Sequence, residues 1–276
     1  MAQVANLRLA GRQPRPGQSM TWVLAGSTWG ARAWDWAMYQ EPIHSNAYDA
    51  ILQVTGVGPN TVLLDVACGS GLALQRASAL GARCTGVDAS RELLEVARDR
   101  APNAELIRCD MAQMPLPSEG YDVVTSINGV QFGARGAVAE CARVLRVGGL
   151  LALAFWQEPG DYEAYFDAIA VCSPSTLAGA PSPTALREPG TAEHLLAEAG
   201  LTVVGRGSTE CRGIYRDVND AYRGLAASGP AVGAIAHSGE DDFHAALSSV
   251  VDQHQDPSTG RVLMTGVFGY VIARRQ

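Results

Sequence analysis

The sequence predicts an α/β fold, a doubly wound sheet of seven strands with helical cap insertions. Three observations predict it. Val62-Leu63-Leu64-Asp65-Val66 is an unbroken, mostly apolar run, as in a strand buried on both faces of a parallel sheet. It leads through Gly69-Ser70-Gly71 into Leu72, Leu74, Ala77 and Leu80 at helical spacing, which gives strand, glycine turn and helix in succession. Strand-length apolar runs then alternate with helical patterns as far as residue 156, the rhythm of a sheet covered by helices on both sides.

Taken in order, strands are expected near 61–66, 82–87, 104–109, 121–127 and 149–156, with helices near 71–80, 90–99 and 134–146. Gly148-Gly149 is expected to end the last of these helices and start the fifth strand, as a C-terminal glycine does. A helix at 190–199 leads into a strand from about 201, and 261–274 reads as the last strand. Residues 1–58 are expected to form an N-terminal arm and helical lid, whose first twenty residues, with three Arg and several Gly, Pro and Gln, read as poorly ordered. Residues 59–276 form the core domain, with cap insertions at about 157–189 and 213–260.

Composition narrows the function. The 276 residues are 47% hydrophobic and carry a formal charge of −7, which argues against a nucleic-acid backbone as partner. No apolar run reaches the ~18–20 residues of a membrane span, and the N-terminus lacks the apolar stretch of a signal peptide, so a cytoplasmic protein with no membrane partner is expected. The six cysteines include no C-x-x-C pair and read as small buried hydrophobes in a reducing compartment. All 21 basic residues are Arg. With no Lys there is neither a P-loop nor Schiff-base chemistry. The all-Arg set with abundant Ala and Gly also has the bias of a GC-rich bacterial genome.

The glycine turn carries the chemistry. Gly69 and Gly71 allow a sharp turn and a close backbone approach to a ligand. A second strand, Cys84-Thr85-Gly86-Val87, ends in Asp88, 19 residues after Gly69, where an acid is placed to hydrogen-bond ribose hydroxyls. A dinucleotide fingerprint is incomplete, because its third small position is Leu74. Asp65, just before the glycines, would repel a pyrophosphate and welcome an amino group. Asp88 and Asp110, both at strand ends, also fit the simpler role of helix N-caps.

Four ordered blocks resemble the class I S-adenosylmethionine-dependent methyltransferases, in particular the small-molecule branch that includes ubiquinone/menaquinone C-methyltransferase-like enzymes. They are Leu64-Asp65-Val66-Ala67-Cys68-Gly69-Ser70-Gly71, Gly86-Val87-Asp88-Ala89-Ser90, Asp110-Met111-Ala112-Gln113-Met114-Pro115-Leu116-Pro117, and Arg143-Val144-Leu145-Arg146-Val147-Gly148-Gly149. The resemblance implies a Rossmann-like sheet with its last two strands antiparallel. It implies S-adenosylmethionine as cofactor and S-adenosylhomocysteine as product. Asp65, Ala67, Gly69 and Gly71 would cradle the methionine part, Asp88 the ribose hydroxyls, and Ala89 would lie beside the adenine. Asp110 would accept from the adenine amino group, Met111 would pack on the ring, and Asn128 would lie near the sulfonium. That branch often carries a His pair after the fourth strand; here the segment reads Asn128-Gly129-Val130-Gln131-Phe132.

Acceptor specificity is expected in the insertions, which would roof the crevice. Residues 20–58 hold four of the five Trp. From this segment Trp36 and Tyr39, with Gln131 and Phe132 from the core, are the expected substrate contacts. Methyl transfer is mainly a matter of alignment, so a catalytic base need not exist. If one does, His44 in Gln40-Glu41-Pro42-Ile43-His44 is the first choice. His194 reads as a surface residue. His237 and His244 flank Glu240-Asp241-Asp242, but the spacing fits no closed zinc site, and no metal is expected. The expected function is methyl transfer to the O, N or C of a small molecule, a bacterial secondary metabolite, by a monomer or homodimer. The alternatives are a cofactor-binding enzyme that catalyses a non-methylating rearrangement, and a non-catalytic cofactor-binding protein.

Overall fold

A computed structural model describes residues 21–174 and 184–276 of the chain. The poorly ordered arm expected at 1–20 and part of the 157–189 insertion lie outside the described residues. The sheet is built from β1 (Val62–Val66), β2 (Arg83–Asp88), β3 (Glu105–Arg108), β4 (Tyr121–Ile127), β5 (Leu145–Glu158), β6 (Leu201–Tyr215) and β7 (Val262–Arg275), in the order β3-β2-β1-β4-β5-β7-β6. Strands β1 to β5 run parallel, and β7 is antiparallel to both its neighbours. The order reverses between β2 and β4 around β1, so the carboxyl end of β1 opens on the crevice where such sheets bind ligands.

Helices α1 (Thr21–Gly30), the single turn α2 (Ala33–Asp35) and α3 (Ser45–Val54) precede the sheet, with π and 3₁₀ turns at Trp36–Gln40 and Glu41–His44 between the last two. The core helices are α4 (Leu72–Ala79), α5 (Arg91–Arg100) and α6 (Ala134–Val144), followed by α7 (Glu163–Val171) and α8 (Thr191–Glu198). Between β6 and β7 stand α9 (Val218–Leu225), α10 (Gly229–Ser238) and α11 (Glu240–Gln253).

Alternation along the strands divides the core. Leu64, Val66, Val124, Leu151 and Leu153 point to one face and pack with Ala137, Val138 and Cys141 of α6. Leu63 and Val123 point to the other and meet Leu74 and Ala77 of α4 and Leu94 of α5. On that second face, farther along the sheet, Ala152, Ala154 and Phe268 meet Ile51, Tyr165, Phe243 and Leu247, so the cap shares a core with the sheet. All six cysteines are free and buried. No described helix is long and apolar enough to cross a membrane.

One expected boundary is corrected. Helix α6 stops at Val144, not near 146, and Leu145 already pairs with Tyr121. The register then shifts to Val123 opposite Leu150, so Gly148-Gly149 forms an irregularity inside β5 instead of the turn before it. Gly148, with φ +80°, supplies the backbone conformation that this bulge needs.

Candidate functional site

The turn after β1 is built from three left-handed residues, Ala67 (φ +58°), Gly69 (φ +54°) and Gly71 (φ +84°). Beneath it Asp65 is buried and its Oδ1 accepts from Thr125 Oγ1 at 2.7 Å. Burial, reinforced by the charges of Glu41 and Asp88, pushes the Asp65 carboxyl up to about 7 against the relief from Thr125. Asp88 uses both oxygens to tie two loops together, accepting from Gly69 N at 2.9 Å and Ser90 N at 2.8 Å. The N-cap of α5 is Ser90, whose Oγ accepts from Leu93 N, so the simpler reading of Asp88 as a cap does not hold. Burial also raises Asp88 above the usual carboxylate range, in spite of these amides.

The third and fourth loops continue the wall. Asp110 Oδ1 accepts from Ala112 N at 2.9 Å, and the Met111 sulfur packs against Gly133 at the start of α6. Asn128 sits at φ +56° and its Oδ1 accepts from Gln131 Nε2 at 2.6 Å. Gln131 Oε1 is buried without a partner.

The N-terminal segment lies directly on this edge. A Cβ on Gly26 would collide with the Ala89 carbonyl, and one on Gly30 with Glu92 and Ser90, so α1 rests on the β2–α5 turn itself. Trp36 Nε1 and Glu41 Oε1 stand 3.6 and 3.4 Å from the point where a Cβ on Gly69 would be. Glu41 is buried; its Oε2 accepts from Ser70 Oγ at 2.5 Å and pairs with the Arg100 guanidinium. Arg100 also donates to the Ala37 carbonyl, at 2.6 Å. Burial raises the Glu41 carboxyl, against the opposing pull of Ser70, Arg100 and the Leu72 amide.

Aromatic rings form a continuous run beside the turn. Trp29 meets Phe132 (5.6 Å between centroids) and Trp36 (4.9 Å), and Trp36 meets His44 (6.2 Å). His44 in turn meets Phe268 (4.5 Å) and Trp156 (5.8 Å). His44 is only 2% exposed, its Nε2 has no partner, and burial lowers its pKa to about 3.

The structure therefore brings Asp65, Ala67, Gly69, Asp88, Ala89 and Asn128 together at the carboxyl edge of the sheet, with Trp36, Phe132 and His44 in the run of rings beside it. One expected residue belongs elsewhere. Tyr39 turns to the cap, where its hydroxyl accepts from Arg223 at 3.1 Å and the guanidinium covers its ring. Gly71 lies in the turn with the other expected residues, and a Cβ on it would stand 2.8 Å from Ala97 Cβ, so its missing side chain makes room for α5. Of the other histidines, His194 is a surface residue and His244 meets the Tyr222 ring at a tilt. Sequence reasoning missed Glu41, Ser70, Arg100, Thr125, Trp29, Trp156 and Phe268. The available signals were an acid amid the aromatic segment 34–48 and a Trp at the carboxyl end of the fifth strand.

The carboxyl edge of the sheet fits the cofactor that the resemblance implies. Of three buried acids around one turn, each raised in pKa by burial, Glu41 has Arg100 as its partner while Asp65 and Asp88 are held by neutral donors, and a ligand bearing a sulfonium and an ammonium suits them. The side of Gly69 where a Cβ would be faces Glu41 Oε1 and Trp36 Nε1, two polar atoms. No group of three or more His, Cys, Asp or Glu among the described residues is arranged to hold a metal ion.

Comparison with known proteins agrees. Residues 64–153 match the family model described as a methyltransferase domain. An uncharacterised protein of Mycobacterium tuberculosis is 28% identical over 245 residues, which cover 84% of this chain and 86% of that protein. The demethylmenaquinone methyltransferase of Tropheryma whipplei is 28% identical over 121 residues, 42% of this chain and 51% of that one. A Bacillus halodurans structure has the same fold, with a TM-score of 0.57 at 19% identity over 83% of this chain and 98% of that one.

Proposed function

We propose that this chain, whose residues 64–153 form a methyltransferase domain that takes S-adenosylmethionine, methylates a hydroxyl of a small, uncharged, ring-bearing molecule. When bound, the cofactor supplies a methyl group made electrophilic by its sulfonium. The residues do the rest by binding and alignment. Asp65 and the Gly69 turn hold the methionine part, and Asp88 the ribose. Ala89, Asp110 and Met111 hold the adenine, and Asn128 stands toward the reacting centre.

The observation that carries the acceptor class is His44 Nε2, buried and unpartnered among Trp36, Trp156 and Phe268. A buried polar atom of this kind costs stability unless something bonds to it. An acceptor hydroxyl is a fitting donor, and indole and phenyl faces suit a flat apolar ring. With a pKa near 3, His44 is a poor proton acceptor at neutral pH. It orients the hydroxyl by a hydrogen bond, and alignment of oxygen, methyl carbon and sulfur supplies the rate. A phenol, which ionises more easily than an alcohol and can give its proton to solvent before the methyl is transferred to oxygen, suits such a site. Gln131 and Phe132 complete the acceptor side. The arginine-only composition is in keeping with a bacterial natural product as acceptor.

The test is incubation with methyl-labelled cofactor and a matched panel of a phenol, its methyl ether, an aniline and an aliphatic alcohol, following S-adenosylhomocysteine. Release with the phenol alone supports the reading. Labelled methyl on nitrogen or carbon would overturn the hydroxyl assignment. An acceptor rearranged without cofactor turnover would favour the non-methylating alternative.

A further inference from the structure

Glu41 is a buried acid held by Ser70, Arg100 and the Leu72 amide at the turn that follows β1. It arrives from outside the methyltransferase domain, on the 3₁₀ turn Glu41–His44, and is 1% exposed. Its two oxygens face different ways. Oε2 accepts from Ser70 Oγ and pairs with Arg100, which fixes the carboxyl group against the start of α4 and the end of α5. Oε1 is the oxygen turned to Gly69, 3.4 Å from the point where its Cβ would be. Trp36 Nε1 stands 3.6 Å from the same point, so two polar atoms of the N-terminal segment face the turn there. The pairing with Ser70 and Arg100 leaves this second oxygen near the buried Asp65, whose carboxyl feels the Glu41 charge. An ion pair is also a costly latch in such a place, since apolar packing of equal volume closes a buried interface at no desolvation cost.

We propose that Glu41 is a cofactor-binding residue contributed by the N-terminal segment, and that its Oε1 accepts a hydrogen bond from the α-ammonium of the cofactor's amino-acid end. Arg100 and Ser70 act behind it as positioning residues that keep the carboxylate aimed. The N-terminal segment and the cofactor then stabilise each other's placement, because the bond forms only when Glu41–His44 is seated on the turn. The proposal rests on the cofactor assignment above and adds to it a residue that lies outside the matched domain.

The test separates the two. Calorimetry on the full chain would compare S-adenosylhomocysteine, which has the amino-acid end, with 5′-methylthioadenosine, which lacks it. In wild type both should bind, and failure of both would overturn the cofactor assignment and the proposal with it. Glu41→Gln should weaken S-adenosylhomocysteine by about tenfold or more, the range for one charge-assisted hydrogen bond, and leave 5′-methylthioadenosine unchanged. Arg100→Met, which removes the latch but keeps the carboxylate, should retain the preference for the amino-acid end. Equal losses for both ligands in Glu41→Gln would show a latch only and overturn the proposal, as would no loss for either. If Glu41→Gln does not fold, Glu41→Asp, which draws the carboxylate back by one methylene, reads the same ratio. An unchanged ratio there is equally fatal.

Discussion

Asp88 and Gly71 stand within one loop–helix neighbourhood and answer different questions. Asp88 holds the amides of Gly69 and Ser90, so its loss loosens the turn and, on the proposed reading, removes the ribose contact. Asp88→Ala is expected to raise the dissociation constant of S-adenosylhomocysteine about 10- to 100-fold, by calorimetry, with a fold that still unfolds cooperatively. Gly71→Ala meets Ala97 Cβ at 2.8 Å from a backbone at φ +84°. It is expected to cost roughly 2–4 kcal/mol in urea unfolding, from strain and overpacking together. A variant as stable as wild type would show that α5 can move aside. The sequence made Asp65 and Asp88 legible because a strand, a turn and a second strand fix their separation from the glycines. Glu41 was not legible: its partners Ser70 and Arg100 lie 29 and 59 residues away, and no local period records that docking.

At the scale of elements, the seven strands and most of the core helices could be read from apolar runs and glycine punctuation, because buried parallel strands have few other sequence solutions. The lid was harder. Its rings serve two purposes, with Trp36 buried in the wall and Trp34 64% exposed two residues earlier, so composition marks the segment without separating site from surface. The π and 3₁₀ turns between α2 and α3 break helical periodicity just where the candidate site residues Trp36, Glu41 and His44 fall. Helix α1 docks through Gly26 on the Ala89 carbonyl. Gly26→Val should keep it from seating. Hydrogen exchange should then rise across α1 while β1 and β4 stay protected. Unchanged protection of α1 would mean that its packing on α10 and not on the β2–α5 turn holds it in place.

For the whole molecule, two buried groups pull stability in opposite directions with pH. Asp65, raised to about 7, stabilises the fold below its unfolded value, and this contribution is lost as pH rises from about 4 to 7. His44, lowered to about 3, contributes above its unfolded value, and this is lost as pH falls from 6.5 toward 3. The two offset each other over the shared window. His44→Gln removes one of them, so its stability relative to wild type should improve by roughly 2 kcal/mol between pH 7 and pH 5. Urea unfolding at the two pH values checks this, and a constant difference would mean that His44 is not held neutral by burial. The placement of α9–α11 between β6 and β7 bears on something else, the order in which the chain can fold. Leu150 on β5 pairs with Arg274 on β7, and Tyr215 on β6 pairs with Val262, so the last neighbour of β5 comes only after the cap has been made. Until then the apolar stretch Leu151–Phe155 is a bare sheet edge. Long-range pairing of this kind is slow, and an unpaired apolar edge recruits other chains. Renatured from denaturant, this protein should lose yield as its concentration rises, and crowding at that one edge sets the limit.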